Sequence, residues 1–218
     1  MAYQRSPLME KRLSDNRQRI KLAARRLIAS GGFREASVTA VANKVGLSTG
    51  ALYRYFPSKA NLFIEILGDA VSREVAILRD ILERTGSAAD QLYAAVESFA
   101  SRALKGPHLA YAFIAEPIDS EVEAARMTGR AQFIEVFEDV LRSGIKSGVF
   151  PAQLPDVSAA CIVGAFTEAL IRPVAPMARP ADEKKLVKAI ADLCLRAAGV
   201  TITNTKTAVK RRSLKRAA

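Results

Sequence analysis

A chain of 218 residues holds one sizeable core or a small domain joined to a larger one, and its 50% apolar and 25% charged composition is ordinary for a folded protein. No apolar run reaches the roughly 18 residues of a membrane span, and the charged N-terminus lacks the apolar stretch of a secretory signal, so a membrane partner is not expected and a cytoplasmic location is. The net charge of +11 is uneven: residues 1–60 hold 12 Lys+Arg against 3 Asp+Glu, residues 61–204 hold 15 against 19, and residues 205–218 hold 6 against none.

Helical periodicity dominates and strand signals are nearly absent. Residues 1–14 read as a basic flexible arm. In RQRIKLAARRLIASGGF, Ile20, Ala23, Ala24, Leu27 and Ile28 form one apolar stripe; Gly31 and Gly32 end that helix and Phe33 folds back on it. Val38, Val41, Ala42 and Val45 make a second stripe, opened by Ser37 as N-cap and stopped by Gly46. A third, short helix follows in LSTGALYRYFP. Ser48 caps it, Leu47 and Leu52 are placed as a hydrophobic staple, and Leu52 and Phe56 face inward. Thr49, Gly50, Tyr53 and Arg54 are left outside, and Pro57 ends the segment.

A long helix then runs from Ser58 as cap to about Arg84, with Leu62, Phe63, Ile66, Leu67, Val71, Val75, Leu78 and Leu82 in helical register. Further helices are predicted over 88–104, 121–147, 157–172 and 182–198, interrupted at Gly106-Pro107, Glu116-Pro117, Pro151, Pro155 and 173–180. Residues 201–218 read as a basic disordered tail. The expected fold is all-α, of about nine helices, with a three-helix head over 15–62 and a larger helical bundle over 63–200.

Two helices joined by a tight glycine turn, the second presenting polar residues outward, fit the helix-turn-helix plan. The major groove admits one α-helix, and base edges there carry a distinguishable donor and acceptor pattern. Small residues at Thr49, Gly50 and Ala51 allow close approach. Lys59 lies in the first turn of the fourth helix, where the helix dipole disfavours a cation by a few tenths of a kcal/mol up to about 1. A phosphate reverses that sign, so Lys59 reads as a backbone clamp. The Tyr53 and Tyr55 hydroxyls suit phosphates at the groove edge, and Thr49 and Arg54 suit base edges. Ser37 and Ser48, at the two helix starts, join them as DNA-facing candidates. A solvated basic surface without a partner is the plainer reading of the charge.

Residues 17–63 resemble the DNA-binding domain of TetR-family transcriptional regulators, through Gly31-Gly32-Phe33, SVTAVANKVGLSTGALYRYFPSKANLF, and above all LYRYFPSK with Leu62-Phe63 following. The resemblance implies a bacterial homodimer that binds double-stranded operator DNA and whose regulation, repression in particular, is relieved by a small molecule. It implies operator contacts at Thr39, Ser48, Thr49, Gly50, Tyr53, Tyr55 and Lys59.

The body carries a candidate effector pocket: Phe63, Leu67, Tyr93, Phe99, Tyr111, Phe113, Met127, Phe133 and Phe137, with Glu116, Arg130 and Tyr111 as polar groups. Plain core packing is the alternative for each. The segment VSAACIVGAFTEALI is apolar nearly all round. With the last helix it is the candidate dimer face, as in the family, at Ala160, Cys161, Gly164, Ala165, Glu168, Leu186, Ile190 and Leu193; burial inside one subunit is the alternative. Cys161 and Cys194 read as free thiols.

No catalytic residue, metal site or cofactor is expected. His108 is the sole histidine, and neither a nucleophile turn nor a phosphate-cradling glycine loop is present. Two rival readings remain: a sequence-neutral architectural DNA-binding protein, and a helical small-molecule-binding protein whose basic end is incidental.

Overall fold

The computed structural model describes residues 7–84, 86–178 and 182–201; the tail expected over 201–218 lies almost wholly outside them. The described residues form nine α-helices and no strand: α1 (Pro7–Gly31), α2 (Val38–Val45), α3 (Thr49–Tyr53), α4 (Lys59–Arg84), α5 (Ala88–Lys105), α6 (Pro107–Ile114), α7 (Ser120–Lys146), α8 (Pro155–Val174) and α9 (Glu183–Ala197).

Residues 7–14, expected within a flexible arm, are instead the first turns of α1. Proline at the first helical position has its φ already set and no N–H to leave unpaired. The expected break at Gly106-Pro107 is also a helix start: α6 opens there on Pro107 and runs through HLAYAFI, a span too short for its periodicity to stand out.

The caps of the head follow the sequence closely. Ser37 Oγ accepts the Ala40 N–H, and Ser48 Oγ accepts the Ala51 N–H. Gly46, at φ 72°, turns the chain between α2 and α3, and the next N–H, of Leu47, reaches back to the Ala42 carbonyl at 2.9 Å. That left-handed conformation is one that glycine adopts without a Cβ clash. Inside the turn Ile20, Ala24, Ile28, Val41, Ala42, Leu52 and Phe56 are all buried.

The head core does not stop at residue 62. Phe63, Ile66, Leu67 and Val71 of α4, Ala112 of α6 and Val122 of α7 belong to the same buried cluster. Phe33 supplies the bridge: its ring centroid lies 4.7 Å from that of Phe63 and 6.0 Å from that of Phe113. The second cluster fills the bundle of α5, α7, α8 and α9 around Phe137, Phe166, Leu92 and Leu141.

α8 is the one helix among the described residues long and apolar enough, by length and composition, to cross a membrane. Its Ala159, Ile162, Val163, Phe166, Leu170 and Val174 pack into the core of the body. A core helix meets the same criterion of length and composition, because both environments exclude polar side chains.

Candidate nucleic-acid interface and body cavity

The predicted contact residues of the head lie mostly at its surface. Ser37, Thr39, Ser48, Thr49, Gly50, Tyr53 and Arg54 are exposed, and Tyr55 and Lys59 are half-buried. A Cβ at Gly50 would meet no atom within 4 Å, so α3 presents bare backbone to the outside. Because the Ser37 and Ser48 oxygens act as acceptors in their caps, each hydroxyl keeps its proton for an outside acceptor.

Tyr55 points partly inward: its hydroxyl accepts from Asn16 Nδ2 at 3.1 Å, leaving its own proton to donate. The Tyr55 carbonyl accepts from Arg17, which also pairs with Glu65 and lies with its guanidinium carbon 4.3 Å from the Phe56 ring centroid. Arg17 thus ties α1 to the turn after α3 and to α4, a role with no local sequence signal because its partners lie 38 and 48 residues away. Lys59 opens α4 with its ammonium 5.1 Å from the centroid of the Phe63 ring. The ring holds the side chain beside the helix N-terminus, where the free N–H groups attract an anion.

The body holds a cavity of about 480 Å³, within the range of small-molecule sites. Its apolar lining comes from Leu67, Val71 and Ile77 of α4, Phe99 of α5, Leu109 and Phe113 of α6, and Phe133 of α7. Of the residues expected to form a pocket, Leu67, Phe99, Phe113, Arg130 and Phe133 line it. The others are placed elsewhere. Phe63 is in the head core, Phe137 is fully buried against Phe166, and Met127 is 56% exposed. Tyr111 packs against the body core. Tyr93 lies toward α9, where burial and then Glu97 raise its phenol above the usual range. Glu116 turns away to the head, accepting the Phe33 N–H at 2.9 Å.

Charged residues from four helices complete the lining: Arg25 of α1, Arg73 and Glu74 of α4, Arg102 and Lys105 of α5, and Arg126 and Arg130 of α7. Arg126 is 9% exposed. It donates to the Ala112 and Glu116 carbonyls at 3.2 and 2.7 Å and pairs with Glu123, while its Nε–H is buried without a partner. The repeat of arginine at 126 and 130, one turn apart, was the available sequence signal for this wall. The Glu74–Arg102 pair, joined at 2.6 Å across 28 residues, had none.

On α8 the candidate dimer residues Ala160, Cys161 and Glu168 are exposed, and Gly164 and Ala165 half-buried. On α9 Leu193 is 45% exposed and Leu186 half-buried, but Ile190 is 4% exposed, inside the body core. Ile190 lies three and four positions from Val187 and Cys194, so the inward stripe of α9 takes it.

Fold and site together define an all-α helix-turn-helix protein whose head is packed onto a cavity-bearing body. Residues 20–66 match the family described as bacterial regulatory proteins, tetR family. The transcriptional repressor KstR of Mycobacterium tuberculosis is 39% identical over 59 residues, which is 27% of this chain and 27% of KstR. The repressor KstR2 of the same organism is 27% identical over 142 residues, covering 62% of this chain and 68% of KstR2. The structure of the regulator FadR from Bacillus subtilis in complex with stearoyl-CoA shares the fold, with a TM-score of 0.72 at 19% identity, covering 83% of this chain and 98% of that one. The family match thus covers residues 20–66, the helix-turn-helix head and the start of α4, as what this part of the chain is similar to.

Proposed function

We propose that the protein is a sequence-specific DNA-binding transcriptional repressor, cytoplasmic and homodimeric, released from its operator by a small, largely apolar effector. The observation that carries this reading is the outer face of α3. Thr49, Gly50, Tyr53 and Arg54 stand exposed on a short helix whose other face, Leu52 with the following Phe56, is fully buried. Such a helix can enter a major groove without unfolding anything. Thr49 and Arg54 then read base edges, while Lys59, Tyr53, Tyr55, Ser37, Thr39 and Ser48 hold phosphates.

Dimerisation through the exposed face of α8 and α9 sets two heads about one helical turn of DNA apart, roughly 34–36 Å. α4 carries the message between sites, since Lys59 opens it and Leu67 to Ile77 line the cavity. The distance along the helix from Lys59 to Leu67 is about 12 Å. An effector that binds better when the heads take another spacing must weaken DNA binding by the same factor, typically worth about 1–3 kcal/mol. FadR from B. subtilis holds stearoyl-CoA, and a long apolar chain suits the apolar walls here.

Capture of genomic DNA fragments on the purified protein, followed by sequencing, tests the proposal. One recurrent palindromic site supports it. Uniform recovery of all fragments at about 150 mM salt points to a sequence-neutral architectural protein, and no recovery to a binding protein with an incidental basic end.

A further inference from the structure

We infer that the body cavity is built for an amphipathic anion, with an apolar chain against Phe99, Phe113 and Phe133 and an acidic head group held between Arg25 and Arg73. The inference rests on the effector reading above and adds the charge and the receiving residues. Of the charged groups in the cavity wall, six are cations and Glu74 is the one acid. Glu74 is already engaged, by Arg102 at 2.6 Å. Asp69, which lines the small adjoining cleft, is engaged by Lys21 at 2.7 Å. Among the described residues no hydrogen bond or ion pair forms on the side chains of Arg25, Arg73, Lys105 or Arg130.

Arg25 and Arg73 also line the small cleft beside the cavity, between α1 and α4, so they mark the boundary of the two spaces. Burial, and then repulsion from Arg73, holds the Arg25 guanidinium below its ordinary range, against a weaker opposing pull from Glu74 and Asp69. Like charges brought together beside an apolar cavity, with the nearby carboxylates taken, are relieved by an incoming anion. A planar guanidinium pair suits a carboxylate or a phosphate equally. Deeper in the wall, the unpartnered Nε–H of Arg126 is a further donor that an acidic group can satisfy after a small side-chain shift.

The full-length protein is titrated calorimetrically with laurate, lauroyl-CoA, dodecanol and chain-free coenzyme A. The same titrations are run on the double variant Arg25→Gln/Arg73→Gln, with its melting curve as the folding control. Arg73 is exposed and Arg25 half-buried, so the variant keeps the core intact. The expected result is binding of laurate or lauroyl-CoA at least tenfold tighter than dodecanol, no binding of coenzyme A alone, and collapse of that preference in the variant with dodecanol unchanged. Laurate and lauroyl-CoA distinguish a lone carboxylate from a phosphate-bearing head. Equal affinity for dodecanol and the two anions, or an anion preference that survives in the variant, overturns the inference while leaving the effector cavity standing. Failure of all four compounds to bind, with operator affinity unmoved by them, overturns both.

Discussion

The carboxylate of Glu116, in the turn between α6 and α7, accepts the backbone N–H of Phe33 at 2.9 Å and so fastens the end of α1 to the wall of the cavity. The Glu116 carbonyl is held in turn by Arg126, which lines that cavity. Head and body are therefore joined by a chain of two polar contacts beside the Phe33–Phe63 ring contact. Glu116→Ala should cost roughly 1.5–3 kcal/mol, the range for a hydrogen bond to a charged group. Urea unfolding measures it. In the operator-binding assay, the same change should shrink the effect of the effector more than it shrinks DNA affinity itself.

Gly32 stands beside this contact at φ 84°, and a Cβ there would lie 2.6 Å from a Glu116 oxygen. Gly32→Ala combines a left-handed backbone cost of about 1–2 kcal/mol with displacement of the carboxylate. A melting curve should show destabilisation larger than that of Gly46→Ala, where a Cβ meets nothing within 4 Å and only the backbone cost applies. Equal loss at the two glycines would mean that the Glu116 contact contributes nothing.

On the DNA face the two classes of contact separate by salt. Lys59→Ala should weaken binding to every sequence and reduce the slope of log affinity against log salt by about 1. Thr49→Ala or Arg54→Ala should change which sequence is preferred, at about 1–3 kcal/mol per lost base contact. Gel-shift titration against a panel of single-base operator variants reads both.

Gly164 gives a test of the subunit contact that spares the fold, because a Cβ there enters open space. Gly164→Arg should leave the melting of the monomer unchanged and shift sedimentation from dimer to monomer. Iodoacetamide should then modify the exposed Cys161 faster in the variant than in the parent protein.

Cys194 is buried, and loss of hydration pushes its thiol up to about 11 from an ordinary 9.0. The folded state therefore holds its proton where the unfolded state releases it. This contribution is intact below about pH 9 and is lost as pH rises through 11, at most about 2–3 kcal/mol. Unfolding free energies from pH 8 to 11 should fall more steeply for the parent protein than for Cys194→Ala. Matching slopes would show that the thiol does not contribute.

The head was legible in the sequence because its determinants are local. A serine three residues before the N–H that it caps, a glycine in the left-handed conformation and apolar residues one turn apart all act within a single turn of chain, as at Ser48, Gly46 and the Leu52–Phe56 pair. The cavity was legible only in part. Helical spacing marks Phe99 and Phe133 as inward-facing, but so it does Phe63 and Phe137, which the fold packs solid. Periodicity reports which side of a helix is apolar, and only tertiary packing decides whether that side meets another side chain or a space. The long-range polar contacts were not legible at all: Glu116 with Phe33, Arg17 with Glu65 and Glu74 with Arg102 join residues 83, 48 and 28 positions apart. By itself, then, the amino-acid order determined an all-helical chain with a helix-turn-helix head. The choice of which charges to neutralise, and which to leave facing a cavity, came from the folding of distant segments onto one another, since Coulomb and hydrogen-bond partners depend on proximity in space.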